Sequence, residues 1–215
     1  MIVFDFFAGT GSATRAFEDA GHKIIKIELD EQFEADERDI LAMTGQYLLN
    51  TYGRPDFIWA SPPCTSFSIA SVSHHWTKDK QPKSLAAEIG IRLVGKTISL
   101  INELNPRLGF VMENPRGMLR KFPLVDVFER TTITYCQYGD FRMKPTDLWF
   151  SIPNWQPRAM CKNGDKCHQA APRGSKTGTQ GLKGAKTRSM VPYELGKEIL
   201  ECLTSSIPQN SSLMD

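Results

Sequence analysis

The chain has 215 residues, 40% of them hydrophobic, which suits one domain of ordinary size with a real core. No apolar run approaches a membrane span, and the first strand-like run begins at Met1, so neither a membrane anchor nor a targeting segment is expected. Five irregularly spaced cysteines, Cys64, Cys136, Cys161, Cys167 and Cys202, read as reduced thiols in a cytoplasmic setting and argue against a disulfide framework.

A net charge of +2 conceals an uneven distribution. Between Arg158 and Arg188 eight basic residues face one acid, Asp165, so this segment is strongly cationic and the remainder is acidic. A basic segment on an acidic body predicts a polyanion partner met on one side.

Residues 2–7 form a compact apolar strand. Ala8-Gly9-Thr10-Gly11-Ser12 is a glycine turn, and residues 13–20 read as a helix ended by Gly21. Residues 23–28 are a second strand, and 30–52 a polar stretch that is helical in part. Phe57-Ile58-Trp59-Ala60 is a short buried strand that runs into Ser61-Pro62-Pro63-Cys64-Thr65-Ser66-Phe67-Ser68. The two prolines turn the chain out of the sheet. Residues 66–83 read as a long polar surface loop, with His74 and His75 in a lid and Trp76 packing it.

Residues 85–104 are an amphipathic helix with Ile89, Leu93, Ile98 and Ile101 on one face, stopped by Asn105-Pro106. Residues 108–112 form another buried strand, ending in Glu113-Asn114-Pro115. A Pro-interrupted helical segment over 119–128 precedes strands at 131–136 and 147–152. Residues 153–187 lose all periodicity, 191–203 recover a helix, and 205–215 read as a frayed tail. Strands alternating with helices predict an α/β fold with an open, mostly parallel sheet and helices on both faces.

The strand, glycine turn and helix at 2–20 form a setting in which backbone passes close under a nucleoside, although Thr14 breaks the full Gly-x-Gly-x-x-Gly pattern. Glu28, closing the next strand, can accept ribose hydroxyls, and Asp39-Ile40 can take an adenine amine and cover its ring. Together they favour an adenosine-containing cofactor. Cys64 follows a strand in a Ser/Thr-rich context. It reads either as a quiet thiol beside a turn or as a nucleophile open to substrate.

Phe7-Ala8-Gly9-x-Gly11, Glu28-x-Asp30, Asp39-Ile40, Pro63-Cys64-x-x-Phe67-Ser68 and Glu113-Asn114 occur in the order and approximate spacing of the DNA cytosine-5 methyltransferases. The sequence resembles that family over residues 3–150. The resemblance implies a Rossmann-like fold that binds S-adenosylmethionine and methylates a cytosine swung out of DNA. It implies cofactor contacts from Phe7, Ala8, Gly9, Thr10, Gly11, Glu28, Leu29, Asp39, Ile40, Pro63 and Ser189. Catalytic roles fall on Cys64 as nucleophile, Glu113 as the acid at ring nitrogen 3, Asn114 beside it, and Arg142 and Lys144 at the base. The two basic residues stand where the family pattern has glutamine and arginine, and Thr146 replaces a second, base-holding arginine.

DNA contacts are expected from Ser66, Ser68, Arg158, Arg173, Lys176, Lys183, Lys186 and Arg188. The implied organisation is a catalytic domain at 1–152, a reduced target-recognition segment at 153–187, a C-terminal helix packing back at 188–204 and a disordered tail at 205–215, in a monomer. So short a recognition segment predicts a short or relaxed target sequence. Rival readings are cytosine-5 methylation of RNA, a non-catalytic relative, and methylation of the exocyclic amine of cytosine. The last is suggested by Ser61-Pro62-Pro63, but Cys64 cannot stack a base and Glu113-Asn114 would have no role. Cys161, Cys167 and His168, with Cys136 as a fourth, offer zinc ligands at a spacing that matches no standard pattern.

Overall fold

The computed structural model describes residues 1–170 and 184–205. Arg173, Lys176 and Lys183, and the tail from 206, lie outside the described residues. Six strands form one sheet: β1 (Ile2–Phe6), β2 (Lys23–Ile27), β3 (Phe57–Ala60), β4 (Gly109–Pro115), β5 (Glu129–Thr134) and β6 (Pro145–Ser151). Their order is β2-β1-β3-β4-β6-β5. The first four are parallel. β6 runs antiparallel to both β4 and β5, so the mostly parallel sheet ends in an antiparallel edge.

The pleat sorts the apolar side chains between two cores. Val3, Phe57, Trp59 and Val111 face one layer, with Phe17 of α1 (Arg15–Asp19) and, from α6, Leu195 and Ile199. Phe4, Phe6, Ile58, Ala60, Phe110 and Met112 face the other, with Leu48 of α2 (Gly45–Tyr52) and, from α4, Val94, Ile98 and Ile101. α4 spans Leu85–Leu104 and α6 spans Tyr193–Ser205. This is a Rossmann-like α/β fold with helices on both faces. Each fully buried Phe or Leu contributes on the order of 2 kcal/mol to it.

The side chain of Ser84 caps α4 by accepting from the Ala87 N–H, and Asn105 closes the helix in the left-handed region at φ 43°. Its buried face departs from the expected one: Ile89 is 38% exposed, whereas Ala87, Gly90, Val94 and Thr97 are buried. The helix is rotated so that Gly90 meets the loop after β3, a contact that a larger residue would block. That loop is not a free lid either. It contains a short helix, α3 (Val72–His75), and its ring side chains point inward. Trp76 is buried, stacks on Phe67 at 5.8 Å and donates from Nε1 to the Ser66 carbonyl at 2.6 Å. His75 is buried, with Nδ1 2.6 Å from Ser84 Oγ.

Asp5, on β1 directly before the glycine turn, is 1% exposed. Its Oδ2 accepts from the Thr14 hydroxyl at 2.7 Å, and its Oδ1 has no partner among the described residues. Burial pushes its pKa up to about 7 against the opposing pull of Thr14 and Lys26. A carboxyl raised this far favours the folded state below the unfolded-state pKa, near pH 4, and that stability is lost as pH rises through about 7, on the order of 4 kcal/mol in all. Urea denaturation between about pH 5 and pH 8 should therefore show the native protein losing stability as pH rises, and Asp5→Asn losing much less of it.

Candidate active site

The glycine turn and the end of β2 are one unit. Phe7, Gly9 and Gly11 all adopt positive φ, at 62°, 50° and 68°, which turns the chain sharply off β1. Glu28 braces the turn: its Oε2 accepts from Gly9 N–H at 2.8 Å and its Oε1 from Asp30 N–H at 2.9 Å. Each carboxylate oxygen keeps a further lone pair for an outside hydroxyl. A Cβ built on Gly9 or Gly11 meets no atom closer than 3.6 Å, so the turn borders open space. Leu29 beside it is 67% exposed, an apolar side chain available to cover a ring. Asp39 Oδ1 accepts from Leu41 N–H at 2.9 Å, capping the turn Ile40–Ala42, while Ile40 is buried. Thr10 is half-buried and Pro63 exposed. Ser189 is exposed and donates to the Lys186 carbonyl at 2.9 Å. Residues 190–192 reach the same turn through Val191 N–H, which donates to Ser12 Oγ at 3.0 Å.

Cys64 leaves the carboxyl end of β3 on a loop fastened from two sides. Its carbonyl accepts from the N–H groups of Phe67 and Ser68 at 3.0 and 3.1 Å, forming a tight turn. A Cβ on Gly90 of α4 would fall 2.7 Å from Ser66 Oγ. A Cβ on Gly117, just beyond β4, would fall 2.2 Å from the Phe67 carbonyl oxygen. The loop is thus wedged between two glycines, and Met118 N–H donates to the same Phe67 carbonyl at 2.7 Å. Ser66 is 2% exposed, which corrects its expected role as a nucleic-acid contact: packing under α4 takes it out of reach of a ligand. Ser68 is half-buried, its Oγ 2.8 Å from Ser71 Oγ.

Glu113 and Asn114 close β4, the neighbour of β3. Asn114 is fully buried and donates from Nδ2 to the Pro62 carbonyl at 2.9 Å, tying the two strand ends together. Glu113 is 6% exposed, and burial raises its pKa, with Asp147 adding to the rise and Lys144 and Tyr135 opposing it. Tyr135, which sequence reading took only as a strand residue, donates from its hydroxyl to Glu113 Oε1 at 2.9 Å. In the neutral acid this leaves the proton on Oε2. Lys144 is half-buried, its Nζ 4.3 Å from the Tyr135 ring centre and donating to the Arg188 carbonyl at 3.2 Å. Burial raises the half-buried Cys64 thiol, Glu113 adds to the rise, and Lys144 and Arg188 draw it down. Cys64, Glu113 and Lys144 therefore form one electrostatic group.

Arg142 does not present its guanidinium to this group. It is 4% exposed and paired with Asp140, and it also donates to the carbonyls of Thr187, Arg188 and Met190. All five of its N–H donors have acceptors, so it fastens residues 187–190 and has none left for a base. Thr146 is buried and bonds back to the Lys144 carbonyl at 3.1 Å. Arg158 is likewise a clamp: it donates to Glu198 Oε2 and the Gln137 carbonyl, both at 2.6 Å, and lies over the Tyr138 ring. Exposed Lys186 sits 5.2 Å from the Phe33 ring centre, and Arg188 is half-buried.

A nucleoside-binding turn beside a cysteine and a buried acid at adjacent strand ends is the arrangement of a methyltransferase fold. Among solved structures, the Entamoeba histolytica methyltransferase EhMeth superposes with a TM-score of 0.52 at 12% identity, over 75% of this chain and 57% of its own. The S. pombe Dnmt2 methyltransferase gives 0.48 at 13% identity, over 74% of this chain and 51% of its own. The chain thus spans little more than half the length of these structures. The family model of C-5 cytosine-specific DNA methylases matches residues 1–129. The chain belongs to that family. A "Probable DNA (cytosine-5)-methyltransferase" of Frog virus 3 (isolate Goorha) is 27% identical over 175 residues, 78% of each chain. Among the described residues no helix is long and apolar enough to cross a membrane.

Two outcomes follow from this geometry. Because the Lys144 ammonium lowers the Cys64 pKa, Lys144→Gln should move the pH profile of Cys64 alkylation to higher pH, so alkylation at a fixed neutral pH slows. Gly117→Ala forces backbone apart at the Cys64 loop and should cost about 1–3 kcal/mol in thermal melts. Methyl transfer by the same variant should fall by on the order of 100-fold.

Proposed function

We propose that this protein transfers a methyl group from S-adenosylmethionine to carbon 5 of a flipped-out cytosine in DNA, through a covalent adduct on Cys64. The observation that carries this reading is the pairing of Cys64 with a buried, proton-retaining Glu113 across a single strand boundary. The turn at 7–11, the Glu28 carboxylate, Leu29 and Ile40 fit an adenosine-containing cofactor, because open space and spare acceptors lie together there. When bound, that cofactor supplies an electrophilic methyl group. Asp39, Pro63 and Ser189 complete the contacts assigned to it.

Carbon 5 of cytosine is a poor nucleophile, and the chain's residues correct this. The Cys64 thiol gives up its proton, aided by Lys144 and Arg188, and its sulfur adds to carbon 6. The carbon 5–carbon 6 double bond opens, and charge builds toward ring nitrogen 3. Glu113, held by Tyr135 with its proton on Oε2, donates that proton to the nitrogen. Carbon 5, now enamine-like, accepts the methyl group. Loss of the carbon 5 proton to solvent, breakage of the sulfur–carbon bond and return of the nitrogen 3 proton to Glu113 restore the aromatic ring and the enzyme. Asn114 keeps the two strand ends in register throughout. Lys144 is the residue placed to donate to the base, since Arg142 is engaged elsewhere.

DNA is the preferred substrate on the strength of the family's description, with the basic segment gripping phosphates. The decisive experiment uses methyl-labelled S-adenosylmethionine with DNA and, separately, RNA. The expected result is label recovered as 5-methylcytosine in DNA and abolished by Cys64→Ala. Label in RNA alone would replace the substrate, and activity surviving in Cys64→Ala would overturn the covalent route in favour of amine methylation.

A further inference from the structure

Four ligand-type side chains converge away from the methyl-transfer site. Cys136, Cys161, Cys167 and His168 place their donor atoms all within 4.8 Å of one another. Cys136 Sγ is 3.2 Å from Cys161 Sγ and 3.6 Å from Cys167 Sγ. His168 Nδ1 is 3.6 Å from Cys161 Sγ and 3.5 Å from Cys167 Sγ. Zinc bonds of about 2.3 Å to sulfur and 2.0–2.1 Å to nitrogen set tetrahedral donors about 3.5–3.8 Å apart. These separations approach such a tetrahedron in a protein computed without any ion.

The chain is shaped to produce the cluster. Cys136 lies in the turn Tyr135–Tyr138, which Gly139 ends in the left-handed region. Between Cys161 and Cys167 the chain folds back: Lys162 N–H donates to Asp165 Oδ2 at 2.7 Å, Asp165 N–H donates to the Lys162 carbonyl at 3.1 Å, and Gly164 takes φ 95°. Cys161 N–H is held by Thr134 Oγ1 at 3.1 Å. Three thiols and an imidazole offer one another only weak hydrogen bonds, which give little reason for segments 25 to 31 residues apart to meet. A thiolate-binding metal does.

We propose that Cys136, Cys161, Cys167 and His168 bind one structural Zn²⁺. Three S–H bonds break and their protons pass to solvent. Four coordinate bonds form, and no electron is transferred. Four protein ligands close the site, so it holds structure and leaves no position for a reactive water. Thiolate-rich ligation selects zinc over magnesium or calcium. The centre fastens residues 161–168 to the turn that carries Tyr135, the positioning residue for Glu113. Gln169 N–H continues the connection by donating to the Phe141 carbonyl at 2.9 Å. The centre thereby sets where residues 171 onward leave the body. The metal itself does not depend on the methyl-transfer reading.

The test is elemental analysis of the full chain, purified under reducing conditions without added metal. One zinc per chain is expected, retained by Cys202→Ser and lost from Cys161→Ser, Cys167→Ser and His168→Gln. Should a buried-ligand variant fail to fold, exposed Cys167 and the native protein still decide the matter. Cobalt exchanged into the native protein should give thiolate-to-metal charge-transfer absorption and visible bands of tetrahedral geometry. Metal-free protein that takes up neither zinc nor cobalt would overturn the proposal. So would a Cys136–Cys161 disulfide in the freshly purified chain, or a cobalt spectrum without thiolate bands.

Discussion

The 2.9 Å hydrogen bond from the Asn114 side-chain amide to the Pro62 carbonyl joins the ends of two parallel strands at the point where regular backbone pairing stops. Strand ends in open α/β sheets are where loops diverge and ligands enter. Left alone, β3 and β4 would splay there, and Cys64 and Glu113 would follow their own loops. Asn114 is wholly buried, so the bond is shielded from water. The glycine wedge at Gly90 and Gly117, the Tyr135 bond to Glu113 and the Lys144 ammonium all act on a geometry that this bond has already defined.

Burial gives the site its chemical bias. Glu113 is kept proton-bearing by desolvation, which suits a donor to a developing negative charge. The same desolvation raises the Cys64 thiol, an obstacle for a nucleophile. Lys144 and Arg188 work against that rise, and both are tied to the segment that follows the basic stretch: Lys144 donates to the Arg188 carbonyl, and Arg142 holds the backbone on either side of it. Activation of the thiol is thus coupled to how residues 187–190 are seated.

Features that sit at strand ends were legible in the sequence. The glycine turn, Glu28, Cys64 and Glu113 each follow a short apolar run, and a strand's end is a local signal. The edge of the sheet was partly legible: β5 and β6 were expected, though beginning two residues later than Glu129 and Pro145. Partnerships across the chain were not. Arg142 pairs with Asp140 and with backbone some 45 residues away, and Arg158 with Glu198, so charge alone made both look like ligand contacts. Ser66 sat in a hydrated-looking run, yet Gly90 brings α4 down upon it. Tyr135 carried no signal, because a tyrosine ending a strand is usually core.

The contact between Val191 and Ser12 spans almost the whole chain. During synthesis the glycine turn leaves the ribosome early, while the residues that buttress it, with the helix that packs over α1, emerge last. The nascent chain therefore carries an apolar sheet face, including Val3, Phe57 and Trp59, with no cover until nearly every residue has been made. Such long-range closure slows folding and leaves a sticky intermediate. The ability to hold a nucleoside is acquired at the end of translation, and a ribosome that stalls near residue 190 releases a half-covered sheet to chaperones or proteases.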